Sequence, residues 1–113
     1  MVKTPVEIRK IVNKFVKAIG NDIKVDKVIL YGSYAHGTAH EWSDIDIAII
    51  SNDLTKLGYN RAMERIIKAH MASEASLEPQ FYSLDEYEKA SHLTFLGEIK
   101  RTGQIIYEAS PQD

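Results

Sequence analysis

The sequence predicts an α/β (α+β) domain in which a mixed β-sheet is flanked by helices. Three observations carry that expectation: a capped amphipathic helix near the N-terminus, two apolar strand patterns separated by a Gly-Ser loop, and a C-terminal half in which helix and strand patterns alternate. The resulting order, αββαβαβ, calls for a sheet packed by helices, an arrangement that helices alone or strands alone would not produce.

The first helix starts at a recognisable signal. Thr4 is placed to cap it, Pro5 suits the first helical position, and Glu7 completes a Thr-x-x-Glu capping box. Ile8, Ile11, Val12, Phe15 and Ile19 then recur at helical spacing, with Lys10, Lys14 and Lys17 on the opposite side, until Gly20-Asn21-Asp22 ends the run. Val25 to Tyr31 reads as a strand, and Asp44 to Ile50 as a second, with Ile45, Ile47 and Ile49 on one face. Leu57 to Met71 has helical periodicity, with Ala62, Ile66 and Ile67 inward and Arg61, Glu64, Arg65 and Lys68 outward. Ser76 to Tyr82 is a third strand, which Pro79 restricts to a sheet edge or a bulge. Ser83-Leu84-Asp85-Glu86 forms a second capping box, opening a helical stretch with a break near Ser91-His92 that resumes through Phe95, Leu96 and Ile99. Gly103 stops it, and Gln104 to Glu108 is a short last strand.

Composition narrows the function classes. A chain of 113 residues, 44% hydrophobic and 27% charged, has the make-up of an ordinary globule, read as one unit over residues 1–113. Lys and Arg number 14 against 16 Asp and Glu, so the net charge of -2 does not suit a protein that coats nucleic acid. Cysteine is absent, which removes disulfides, thiolate zinc sites and cysteine nucleophiles together. The four histidines, His36, His40, His70 and His92, have no mutual spacing suited to zinc. With no signal peptide or long apolar run, the expected location is the cytoplasm.

The chemistry concentrates between the first two strands. Asp44 and Asp46 stand at i and i+2 of a strand pattern, so both carboxylates project from one face, about 6–7 Å apart by strand rise. Like charges so placed repel unless a cation sits between them. Mg²⁺ suits them, because it takes oxygen ligands and commonly bridges protein carboxylates to substrate phosphates. Gly32-Ser33 follows directly on an apolar strand. The glycine lets the backbone approach a phosphate, the serine adds a hydroxyl, and a helix start would add free N–H groups. Antiparallel pairing of the two strands would bring Ser33 beside both aspartates, setting phosphate donors opposite a metal.

Gly32-Ser33, ten residues, then Asp44-Ile45-Asp46 resembles the signature of the DNA polymerase β-like nucleotidyltransferase superfamily. The flanking Leu30-Tyr31-Gly32-Ser33-Tyr34-Ala35-His36-Gly37 and Ser43-Asp44-Ile45-Asp46-Ile47-Ala48-Ile49 are similar to its minimal prokaryotic branch, as is the closing Ile99-Lys100-Arg101-Thr102-Gly103-Gln104-Ile105-Ile106-Tyr107. The resemblance implies the polymerase β-like fold and transfer of a nucleoside monophosphate, AMP from ATP, to a hydroxyl with two Mg²⁺ or Mn²⁺ ions. It implies metal-binding and catalytic roles for Asp44 and Asp46, with a third carboxylate from a later strand, for which Glu78 is the candidate. It places the nucleotide at Gly32, Ser33, Tyr34 and His36, the last at a position more often Arg or Lys. Members of this branch are often antitoxins of helical HEPN (higher eukaryotes and prokaryotes nucleotide-binding) proteins, which implies such a partner as acceptor. A non-catalytic antitoxin with a relict site and a small-molecule, antibiotic-type nucleotidyltransferase are the alternatives. A chain this short has no room for an acceptor pocket of its own or for the subdomains that hold a nucleic-acid duplex, and oligomerisation with itself or a partner would supply the first.

Other residues carry two readings each. Trp42 could stack on a base, or cover the loop or a partner surface; Tyr34 could contact sugar or triphosphate, or close the turn. Tyr82, Tyr87 and Tyr107 read as core-edge residues. Asp85, Glu86 and Glu88 suit a helix start by its dipole rather than a second metal cluster.

Overall fold

The computed structural model describes residues 2–19, 23–53 and 77–109, with Arg61, Glu64 and Lys68 between them. The chain runs α1 (Pro5–Ile19), β1 (Lys27–Tyr31), α2 (Ser33–His36), β2 (Ile45–Ile50), β3 (Leu77–Tyr82), α3 (Leu84–Lys89), α4 (Phe95–Thr102) and β4 (Gln104–Glu108). Among the described residues the strands form one mixed sheet in the order β3-β2-β1-β4. β1 pairs antiparallel with β2 and with β4, whereas β2 and β3 run parallel. Parallel neighbours need a crossover connection. Most of the helix expected over residues 57–71 lies outside the described residues; Arg61, Glu64 and Lys68 are helical and exposed, on the outward side the periodicity gave them.

The caps form as their spacing requires. Thr4 Oγ1 accepts from the Glu7 amide at 3.2 Å, and Glu7 Oε1 accepts from the Thr4 amide at 2.9 Å. Ser83 and Glu86 repeat the exchange at the start of α3. The helical stretch breaks over residues 90–94, and Thr94 caps α4 by accepting from the Gly97 amide. Gly103 ends α4 in extended backbone, so no left-handed turn calls for glycine there. The reason is proximity: an added Cβ would stand 2.5 Å from Ile29 Cγ2 and 3.0 Å from the Leu30 carbonyl. Gly97 is held for the same cause, its missing Cβ facing the Ser91 carbonyl.

Among the described residues two cores result, one on each side of the sheet. Ile8, Val12, Phe15 and Ile19 of α1 pack on Val28, Leu30, Ile45, Ile47, Ile49 and Leu77. On the other face Ile99 of α4 meets Ile29, Ala48 and Ile50, with Tyr31, Tyr82, Leu84 and Tyr87 partly buried around them. β2 is therefore apolar on both faces except at its first turn of the pleat, where Asp46 stands. β3, which carries Pro79, is an edge of the described sheet, as a residue without an N–H requires. The irregularity lies elsewhere: β1 and β4 shift register between Val28 and Ile29, and Ile106 and Tyr107 both pack on the α1-side core. Ile47, fully buried at the centre of β2, tests this arrangement. Ile47→Ala is expected to cost about 2–5 kcal/mol, read as a lower urea midpoint at unchanged slope.

Candidate active site

The geometry of the site follows from strand pairing. Antiparallel register sets Tyr31 of β1 opposite Asp46 of β2, and parallel register sets Glu78 of β3 opposite Asp46 on its other side. Cross-strand partners share a face, so Tyr31, Asp46 and Glu78 lie in a row on the α3–α4 side of the sheet. Asp44 precedes β2 and is exposed, as is Glu78, while Asp46 is half-buried between them. The three acids act on one another. Burial, then the charges of Asp44 and Glu78, hold the Asp46 carboxyl above the usual aspartate range. Burial together with Asp46 pushes the Tyr31 phenol up to about 12, so it remains a neutral hydroxyl at physiological pH. Tyr31 also meets the Phe95 ring edge-on at 5.6 Å.

Gly32 links this row to α2. Its backbone has φ 74 and ψ −152, a region that side chains other than hydrogen essentially never occupy. An added Cβ would run into Asp46 Oδ2 and stand 3.2 Å from Asp46 Cγ. The main chain thus passes against the carboxylate and turns at once into α2. In α2 the Gly32 carbonyl accepts from the Ala35 and His36 amides, and the Ser33 carbonyl accepts from Thr38. The Ser33 and Tyr34 amides take no such partner among the described residues, which leaves two donors and the Ser33 hydroxyl at the start of the turn. Gly37 closes α2 in the left-handed region, and Gln104 of β4 anchors it by donating to the Ala35 carbonyl at 3.0 Å.

Of the residues singled out in the sequence, Gly32, Asp44, Asp46 and Glu78 come together, with Ser33 next in line and His36 exposed at the end of α2. Tyr34 turns the other way. Its hydroxyl accepts from the Lys3 amide at 3.3 Å and its ring packs on the α1-side core. Trp42 does not cover its own loop: it is 83% exposed, and the loop closes through hydrogen bonds between His40 and Ser43 and through the Trp42 amide, which donates to His40 Nδ1. Tyr31 escaped notice as a site residue; an antiparallel register counted back from Asp46 would have found it.

No three His, Asp or Glu side chains among the described residues stand in a closed metal-ligating arrangement. The donor set is nevertheless all oxygen, and burial, then the charges of Asp44 and Glu78, raise the Asp46 carboxyl. Mg²⁺ needs only one or two carboxylates when waters and substrate phosphates complete its shell, so the residues fit such an ion.

Comparison with known proteins assigns the class. The description "Polymerase beta, Nucleotidyltransferase" matches residues 11–112, and the chain belongs to this nucleotidyltransferase family. It is 35% identical over 100 residues to a candidate protein adenylyltransferase of Methanocaldococcus jannaschii, covering 86% of this chain and 96% of that one. A protein adenylyltransferase of Shewanella oneidensis is 45% identical over 42 residues, 36% of this chain and 30% of its own length. Among solved structures, a candidate nucleotidyltransferase of Sulfolobus solfataricus superposes with a TM-score of 0.63 at 13% identity, covering 92% of this chain and 83% of that one. A toxin–antitoxin crystal structure with AMP-PNP gives 0.60 at 21% identity, with 92% and 76% covered. At these identities the two structures establish the fold, a small α+β nucleotidyltransferase domain, as the residue pattern implied. Among the described residues no helix is long and apolar enough to cross a membrane.

Proposed function

We propose that this nucleotidyltransferase moves AMP from ATP to a hydroxyl on a partner protein, a HEPN-type toxin, and serves as its antitoxin in the cytoplasm. The observation that carries the reading is the convergence of Asp44, Asp46 and Glu78 at the point where Gly32 enters α2. The relatives named adenylyltransferases support AMP as the transferred group, and the toxin–antitoxin neighbour supports a protein partner.

Asp44, Asp46 and Glu78 would hold Mg²⁺, as two ions, or Mn²⁺ in its place; when bound, the metal neutralises charge on the triphosphate and on the leaving pyrophosphate. Everything else falls to the chain itself. The Ser33 hydroxyl and the free amides of Ser33 and Tyr34 bind the outer phosphates, and His36 adds a further donor beside them. Gly32, lacking a side chain, leaves room for the Asp46 carboxylate, whose part would be to hold the metal at the reacting end of the nucleotide. Glu78, exposed on the open side of the row, accepts the proton as the acceptor hydroxyl attacks the α-phosphorus and pyrophosphate departs. Tyr31 keeps its proton and presents a neutral donor beside Asp46. Such chemistry depends on positioning and electrostatics more than on a nucleophile from the enzyme.

The test is incorporation of AMP from α-labelled ATP into a co-expressed HEPN partner, with and without Mg²⁺. Label on the partner that requires the metal and is lost in Asp44→Asn/Asp46→Asn is the expected result. No label with active controls overturns the enzymatic reading. The exposed Trp42 beside Asp44 favours a second reading, a binding surface that silences the partner by occlusion. Full neutralisation by the same double variant would select that one.

A further inference from the structure

We propose that the cavity between α1 and α2 is a binding site for a small organic anion, with a phosphate or carboxylate head on an apolar or aromatic body. The cavity measures about 380 Å³ and is built from the segment before α1, α1 itself, β1, α2 with its following loop, and β4. That volume falls within the range of about 300–1,000 Å³ typical of small-molecule sites. It lies on the α1 side of the sheet, where Tyr34 packs, whereas Asp46 and Glu78 stand on the α3–α4 side. The acids and the cavity therefore lie on opposite faces of the sheet.

Its chemistry is one-sided. Lys3 and Arg9 are the charged residues among the described lining, and no carboxylate joins them. Neither cation is engaged in an ion pair among the described residues. The nearby Glu7 turns its carboxylate to the Thr4 amide in the capping box. The start of α1 adds its positive dipole end on the same side. Below the cations, Ile8, Leu30 and Ile106 form an apolar floor, with Tyr34 as one wall. A bare inorganic anion would leave that floor wet, and a neutral apolar molecule would leave Arg9 unanswered and Lys3 with only the charge of Glu7 nearby. An amphipathic anion satisfies both at once.

The same walls connect the cavity to the site. Tyr34 holds the Lys3 amide, and Gln104, another lining residue, holds the Ala35 carbonyl. A bound anion would thus press on the turn that carries Ser33. This inference stands apart from the identity of the acceptor and from transfer itself.

The experiment is an NMR titration of the full chain, following backbone amides, with AMP, phenylacetate and inorganic phosphate as probes. Saturable shifts at Gly37, Ala39 and Ile106 with at least one organic probe are expected, the two probes separating phosphate from carboxylate heads. Inorganic phosphate should bind more weakly than either. Lys3→Ala/Arg9→Ala should weaken binding by about tenfold or more, and Arg9→Gln provides a milder variant if the pair lowers stability. Asp46→Asn should leave the shifts in place. The absence of saturable shifts with both organic probes overturns the site, as do shifts that survive the double variant. Shifts lost in Asp46→Asn would equally overturn it, because the probe would then sit at the acids.

Discussion

Asp46→Asn is expected to abolish nucleotidyl transfer and, in the same protein, to raise the thermal midpoint. On the proposed mechanism the activity loss follows from removing a carboxylate that would hold the metal: about 10²–10³-fold or more, on the scale of losing one electrostatic contact to the reacting centre. The stability gain follows from the burial of the Asp46 carboxylate and, after it, the repulsion of Asp44 and Glu78. Burial and the charges of Asp44 and Glu78 raise the Asp46 pKa in the folded state. A raised folded-state pKa means that the native protein holds this proton more tightly than the unfolded chain. The corresponding stability is fully present below the unfolded aspartate value and is lost as pH rises through the folded one. At neutral pH the ionised carboxylate is therefore a cost, and asparagine removes it. Thermal melts across the acid range, in the presence of a chelator, should show a smaller loss of stability with rising pH in the variant than in the wild type. An unchanged or lower midpoint at neutral pH would refute the electrostatic account.

Gly32→Ala should lose activity to a similar extent but with the opposite effect on stability. The backbone at φ 74 and ψ −152 costs a residue bearing Cβ about 1–3 kcal/mol. The new methyl would also overlap Asp46 Oδ2, so that either the carboxylate or the start of α2 must shift. Both halves of the site are disturbed by one carbon. A urea midpoint below wild type, together with label transfer reduced as severely as in Asp46→Asn, is the expected pair of results. Gly37→Ala provides the contrast: Gly37 shares the positive φ, but an added Cβ meets nothing within 4 Å. Its penalty should be conformational alone, without a matching loss of transfer.

These two variants share a residue pair that was legible only in part from the chain. Gly32-Ser33 and Asp44-Ile45-Asp46 were readable because each is a local signal: a glycine after a strand, and alternation within a strand. Their meeting required only that consecutive strands pair antiparallel, which a hairpin-like connection favours. Glu78 was a candidate by analogy, because its meeting with Asp46 depends on a parallel register across a crossover of more than twenty residues, from Ile50 to Leu77. No local preference encodes such a register. Tyr31 stands beside the acids through the antiparallel register of the consecutive strands β1 and β2, so its place follows once that register is counted from Asp46.

The sequence by itself determined the capped α1 with its apolar stripe, the positions of the strands, the break between α3 and α4, and the Gly-Ser turn and the strand carboxylates as separate local signals. Each rests on contacts within a few residues, where periodicity and cap chemistry act. Tertiary structure alone decided that Glu78 shares the face of Asp46, that Gly97 and Gly103 are glycines for want of space, that Trp42 stands clear of its loop, and that Tyr34 turns to α1 and its cavity. Those outcomes depend on which surfaces sheet packing brings together. They are set by long-range burial and register, and a short window of sequence carries neither.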